Sequence, residues 1–84
     1  MSTIRVTVAG ASGRMGRTLI RALSETSDMR LAFALERSGH ASLGNDAGVL
    51  AGLPANGIKL SDDPLAALAA SDAVLDFTEK FDGL

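Results

Sequence analysis

Seven residues near the start of the chain, Gly10-Ala11-Ser12-Gly13-Arg14-Met15-Gly16, set three glycines at the spacing GxxGxxG. An anion such as a phosphate is held well by backbone N–H groups at the first turn of a helix, where unpaired donors and the helix dipole act together. A side chain in the tight turn would block that approach, which accounts for Gly10 and Gly13. Gly16, one turn further on, lets the helix pack close to a sheet. The turn is one residue longer than the GxGxxG of the commonest dinucleotide fingerprint. Such a pattern carries weight only directly after a strand and at the opening of a helix. The alternative is a glycine-rich turn that binds nothing.

Glu36-Arg37 forms a second candidate pair. Glu36 stands 20 residues after Gly16, where dinucleotide sites often have an acid that hydrogen-bonds the adenosine ribose. Arg37 beside it suits a ribose phosphate, which a guanidinium fork recognises. Together they point to use of both NADPH and NADH; a solvated ion pair at a strand end is the alternative. His40 is the one histidine, and no acid or nucleophile adjoins it in sequence to orient it. An exposed loop histidine is expected there. Asp46, in Gly44-Asn45-Asp46-Ala47-Gly48, reads as a turn residue. Asp62 and Asp63 read as helix-capping residues, and Met15 as a core side chain whose backbone lies at the glycine turn. Asp76-Phe77-Thr78 falls where the last strand ends, the end at which open α/β sheets bind ligands. Thr78 is placed to touch a cofactor there; Phe77 fits a core equally well. There is no cysteine, so a disulfide or thiolate metal site is excluded. No catalytic or metal-ligating residue is assigned.

These side chains need elements to position them. Ile4 to Ala9 is rich in β-branched residues and predicts a strand that Gly10 ends. From Arg14 to about Thr26, Met15, Leu19, Ile20 and Leu23 fall on one face of a helix. Arg14, Arg17 and Arg21 share much of its remaining surface. Met29 to Leu35 is an almost wholly apolar run, as in a parallel strand covered on both faces. The first 36 residues thus predict a βαβ unit with a right-handed crossover. Residues 38–57 hold Gly39, Gly44, Gly48, Gly52 and Gly57 and predict a long mobile connection, with one short helical turn at Val49-Leu50-Ala51. Ile58-Lys59-Leu60 is expected as a short third strand. Asp63-Pro64 starts a helix, with Asp63 as cap and Pro64 in the first turn, running through Leu65 and Leu68 to about Ala70. Ala73 to Phe77 is a fourth strand, and the expected sheet order is third, second, first, fourth. The fold class is α/β: the first half of a Rossmann-type parallel sheet, truncated.

Composition agrees with a small folded domain. The chain has 84 residues, 46% of them hydrophobic and 21% charged, with a mean hydropathy of +0.22. That balance supports a packed core and argues against disorder. The net charge of −2 argues against a general nucleic-acid binder. Residues 1–37 carry six arginines against Glu25, Asp28 and Glu36, while residues 38–84 carry Lys59 and Lys80 against seven acids. An anionic ligand belongs near the first half. No apolar stretch approaches the roughly 20 residues that span a bilayer, and Met1-Ser2-Thr3-Ile4-Arg5 lacks the basic-then-apolar run of a signal peptide. A cytoplasmic location with no membrane partner is expected.

Taken together, these motifs resemble the dihydrodipicolinate reductases of the diaminopimelate route to lysine, over nearly the whole chain. Gly13-Arg14-Met15-Gly16 is similar to the family's phosphate turn and Glu36-Arg37 to its ribose-binding pair. Ser42-Leu43-Gly44-Asn45-Asp46-Ala47-Gly48 resembles its following loop, and Asp76-Phe77-Thr78 its strand near the nicotinamide. The resemblance implies that Gly10, Ala11, Ser12, Gly13, Arg14 and Met15 hold the pyrophosphate. It places Glu36 at the ribose hydroxyls, Arg37 at the ribose phosphate, and Phe77 and Thr78 near the nicotinamide. The implied reaction is hydride transfer from NADPH or NADH to a cyclic, dehydrated form of 4-hydroxy-tetrahydrodipicolinate, in a homo-oligomer.

Two features depart from the family. Thr78 is followed by Glu79-Lys80-Phe81, where the family carries a proline. The family's substrate-binding and catalytic residues belong to a later domain, built around a motif with histidine and lysine that has no counterpart here. Residues 1–84 are therefore expected to be the amino-terminal portion of a dinucleotide-binding domain that catalyses nothing alone. Two other classes share the glycine pattern: an extended short-chain dehydrogenase or epimerase, which needs a later tyrosine and lysine, and a non-catalytic dinucleotide-binding module. Gly-Arg-Met-Gly together with Asp-Phe-Thr favours the reductase.

Overall fold

A strand, a glycine turn, a helix and a second strand occupy the first half of the chain: β1 (Ile4–Ala9), α1 (Arg14–Ser24) and β2 (Met29–Leu35). The computed structural model describes residues 3–76, and α2 (Ala47–Leu50), α3 (Pro64–Ala70) and β3 (Ala73–Asp76) complete it. Both expected bounds of β1 and β2 hold. α1 stops two residues short of Thr26, because the Glu25 and Thr26 N–H groups turn back to the carbonyls of Ala22 and Leu23, at 3.1 and 3.2 Å. Such bonds tighten and end a final turn.

The three strands form one parallel sheet in the order β2-β1-β3. The register between β1 and β2 shifts after Val6, which pairs with Leu31, because Thr7 pairs with Phe33 and Ala32 becomes an extra residue. Beyond the shift, Ala34 lies opposite Val8, so Leu31 and Ala34 share the face of Val6 and Val8. All four are buried with Ile20 and Leu23 of α1. Each fully buried Val, Leu or Ile side chain there contributes about 1.5–3 kcal/mol. Thr7 points the opposite way and is fully buried; its hydroxyl donates to Ser71 Oγ at 2.8 Å, just past α3. Helices thus cover both faces of β1, the double cover that the sequence predicts for Met29 to Leu35. β2 is covered less completely, since Ala32 and Phe33 keep partial exposure.

β3 is locked to β1 at its start. Arg5 grips Asp72 with Nη2 on Oδ1 at 2.8 Å and Nε on Oδ2 at 3.2 Å, and Asp72 returns its own N–H to the Arg5 carbonyl at 2.7 Å. Asp63 caps α3 as expected, accepting the Ala66 N–H at 3.1 Å, with Pro64 in the first turn. Leu65 and Leu68 stand on its outer side, 77% and 63% exposed, while Ala67 faces the sheet.

Three expectations need correction. Ile58-Lys59-Leu60 is not a strand: only single bridges form, Leu35 with Ser61 in parallel and Asp46 with Lys59 in antiparallel. The segment keeps the expected place beside β2, but it is too short to extend. Gly57 (φ 82°) precedes it, and the Asp63 cap of α3 follows at once. The connection over residues 38–57 is not an open mobile loop either. The Asp46 carboxylate accepts N–H groups from Val49, Asn56 and Gly57 at 2.8–3.1 Å and ties both ends of the excursion together. Its helical turn begins at Ala47, two residues before the expected one. Met15, finally, is not a core residue. It is 48% exposed, because Gly16, Ile20 and Leu23 form the inward stripe of α1 and Met15 sits beside that stripe.

Candidate functional site

The glycine turn is built from backbone bonds that leave the helix start open. Gly10 takes a φ of 72°, a conformation that costs residues with a Cβ. Its N–H and that of Ala11 both reach the Leu35 carbonyl, at 2.9 and 3.1 Å, so the turn is anchored to the end of β2. Gly13 N–H closes the turn on the Gly10 carbonyl at 3.0 Å, and Gly13 is the residue preceding α1, with no side chain capping the helix. The first helical bond is Arg17 N–H to the Gly13 carbonyl at 2.9 Å. Helix geometry therefore leaves the Arg14, Met15 and Gly16 N–H groups without an acceptor one turn back.

Space explains the other two glycines differently from what the sequence suggests. A Cβ on Gly16 would run into the Gly10 carbonyl oxygen and come within 2.8 Å of Ala11 Cα. The close approach is to the glycine turn itself, not to the sheet. A Cβ on Gly13 would meet only the Gly10 carbonyl, at 3.4 Å, which is ordinary contact. Gly13 is exposed, so nothing among the described residues requires it to be glycine.

Ser12, Glu36 and His40 meet beside this turn. The Ser12 N–H and hydroxyl both donate to Glu36 Oε2, at 3.0 and 2.6 Å, and Arg37 N–H donates to Oε1 at 3.0 Å. Partial burial raises the Glu36 carboxyl, but the Ser12 hydroxyl and these two N–H groups outweigh it and hold the group below its ordinary value. It is a firmly held carboxylate at neutral pH. His40 Nε2 lies 3.1 Å from Ser12 Oγ, and Nδ1 accepts the Ser42 N–H at 3.0 Å. His40 is thus half-buried and oriented, which corrects the expectation of an exposed loop histidine. No sequence signal marks the contact, since it bridges 28 residues.

A cleft of about 440 Å³ opens at the carboxyl ends of the strands, lined by Gly10, Glu36, Arg37, Asp62 and Asp76 among others. Ligands of open α/β sheets bind at that end. A larger groove, about 610 Å³, runs between α1 and residues 53–58; among the described residues Arg30 is its sole titratable lining group. Arg37 is exposed at the mouth of the smaller cleft. Of the expected site residues, Gly10 to Met15, Glu36 and Arg37 gather at one place, whereas Phe77 and Thr78 lie outside the described residues.

A parallel sheet entered through a glycine turn, with an acid and an arginine ending its second strand, is the first half of a Rossmann-type nucleotide-binding fold. The family model "Dihydrodipicolinate reductase, N-terminus" matches residues 4–81, and the chain belongs to that family. Over 78 residues, 93% of the chain, it is 60% identical to the 4-hydroxy-tetrahydrodipicolinate reductase of Rhodopseudomonas palustris strain BisB5. The same identity and coverage hold for the enzyme of that name from Bradyrhizobium diazoefficiens, and the one from Rhizobium meliloti is 50% identical. The chain spans 29% of the length of the first two and 32% of the third. Among the described residues no helix is long and apolar enough to cross a membrane.

Proposed function

We propose that this chain is the cofactor-binding portion of a 4-hydroxy-tetrahydrodipicolinate reductase, and that it holds NADPH or NADH by pyrophosphate and adenosine ribose. Family membership implies a nicotinamide cofactor. The observation that carries the proposal is the uncapped start of α1 at an exposed Gly13, beside Glu36-Arg37 and the cleft at the strand ends. The residues fit the group. The open N–H groups of Arg14 and Met15 suit a pyrophosphate, and Glu36 keeps acceptor capacity for ribose hydroxyls. Arg37, exposed, suits a 2′-phosphate. Phe77 and Thr78 are assigned to the nicotinamide end on the family resemblance alone. When bound, the cofactor supplies a hydride; residues 1–84 bind and orient it, and the substrate-binding and catalytic groups belong to a further domain. The whole enzyme, in this reading, is a cytoplasmic homo-oligomer that also binds a small-molecule substrate.

Titration calorimetry with NADPH and NADH tests this. Arg37→Ala is expected to weaken NADPH far more than NADH: a hydrogen bond to a charged group contributes about 1.5–3 kcal/mol, roughly 10- to 150-fold in affinity. Equal losses for both cofactors would make Arg37 structural. No binding of either cofactor by the wild-type chain would overturn the proposal.

A further inference from the structure

Hydrogen-bond bookkeeping around Glu36 fixes the state of His40. An ionised carboxylate only accepts, so the Ser12 hydroxyl hydrogen goes to Glu36 Oε2, 2.6 Å away. The serine oxygen must then accept from His40 Nε2, at 3.1 Å. The Ser42 N–H, pointing at Nδ1, independently requires that nitrogen to be bare. Both contacts give the same tautomer, with the ring hydrogen on Nε2, and the ring is held at both nitrogens. Glu36 Oε2 accepts twice from Ser12, and Oε1 accepts once from Arg37. A carboxylate offers about four lone-pair sites, so the one still open lies on Oε1.

We infer that His40 is a positioning residue for Glu36 and, through it, sets which nicotinamide dinucleotide the site prefers; this rests on the proposal that Glu36 receives the adenosine ribose. His40 holds Ser12 Oγ in place, and Ser12 holds the carboxylate. A fixed, charged carboxylate accepts the ribose hydroxyl of NADH and repels the 2′-phosphate of NADPH. Without His40 the Ser12 hydroxyl loses its orienting donor, and Glu36 is freer to swing towards solvent. Arg37, whose side chain is exposed, then dominates the charge at the ribose. The chain of three side chains therefore favours NADH, and breaking it moves the preference towards NADPH.

The test is titration calorimetry of the full chain with NADH and with NADPH separately, each variant first checked for cooperative thermal unfolding. His40→Ala is expected to weaken NADH roughly three- to tenfold, the worth of one ordinary hydrogen bond, and to leave NADPH unchanged or tighter. His40→Gln, whose amide can donate from the position of Nε2, is expected to restore most of the NADH affinity. Ser12→Ala, which breaks the same link without touching the histidine, is expected to shift the ratio in the same direction and serves if His40→Ala does not fold. An unchanged ratio in these variants, alongside a shifted ratio in Glu36→Ala, would overturn the role of His40 and leave the cofactor site standing. An equal loss for both cofactors that glutamine does not repair would do the same, by reducing His40 to loop support. Unchanged affinities in Glu36→Ala would instead remove the ribose site and the inference with it.

Discussion

Gly13 and Gly16 belong to the same motif, yet an added Cβ would meet different surroundings at the two, so substitution can divide them. At Gly16 an added Cβ meets three backbone atoms, the Gly10 oxygen and Ala11 Cα and C, and none of them is the movable tip of a side chain. Overpacking of this kind costs about 1–3 kcal/mol, and backbone neighbours place Gly16 towards the upper end. Alanine inside a helix returns about 1 kcal/mol relative to glycine. The net expectation for Gly16→Ala is a loss of about 1–2 kcal/mol, from a total of roughly 4–13 kcal/mol for a chain of this size. With a urea slope near 1 kcal/mol/M, the midpoint falls by about 1–2 M. At Gly13 the backbone is extended (φ −74°, ψ 172°) and an added Cβ makes only ordinary contact with the Gly10 carbonyl, so Gly13→Val costs stability no more than about 1 kcal/mol as a poor helix cap. It places a branched side chain across the helix start, and NADPH binding should drop below detection. Urea unfolding and titration calorimetry on both variants decide the matter. A Gly16→Ala protein as stable as the wild type would refute the close-contact reasoning, and undiminished NADPH affinity in Gly13→Val would remove the phosphate seat.

Asp72 is held down to about 2 from its usual 3.8, first by the Arg5 side chain and then by the Arg5 N–H. Its contribution is therefore complete above about pH 4 and is lost as pH falls through about 2; Asp72→Asn should flatten that part of a plot of Tm against pH, and an unchanged plot would show the clamp to be idle. Burial raises the Asp46 carboxyl, but N–H donors from Asn56, Gly57 and Val49 outweigh it, so Asp46→Ala should strip hydrogen-exchange protection from the Asn56 and Gly57 amides while leaving β1 protected. β3 pairs with β1 on one side only among the described residues, and Val74 is 43% exposed. Such an edge invites pairing with another chain, so the 84-residue chain is expected to self-associate in sedimentation; a monodisperse monomer would dispose of that idea.

Local signals determined most of the elements. β1 is marked by a run rich in β-branched residues that Gly10 ends, β2 by an almost wholly apolar run, and α3 by an Asp63-Pro64 start whose cap needs only the Ala66 N–H three residues on. Each depends on interactions within one or two turns, so the sequence carries them whole. The glycine turn and the acid ending β2 were legible for the same reason, as a spacing along one βαβ unit. What the sequence left open depends on register and on contacts between distant segments. The extra residue at Ala32, which decides that Leu31 and Ala34 share a face, appears only when β1 lies alongside β2. Ile58 to Leu60 has strand-forming residues, but neighbours on both sides reduce it to bridges. Arg5 and Asp72 stand 67 residues apart and Ser12 and His40 stand 28 apart. No periodicity links such pairs, because their partners are chosen by where the sheet sets the chain, and that is why tertiary structure alone seats a loop histidine against Ser12.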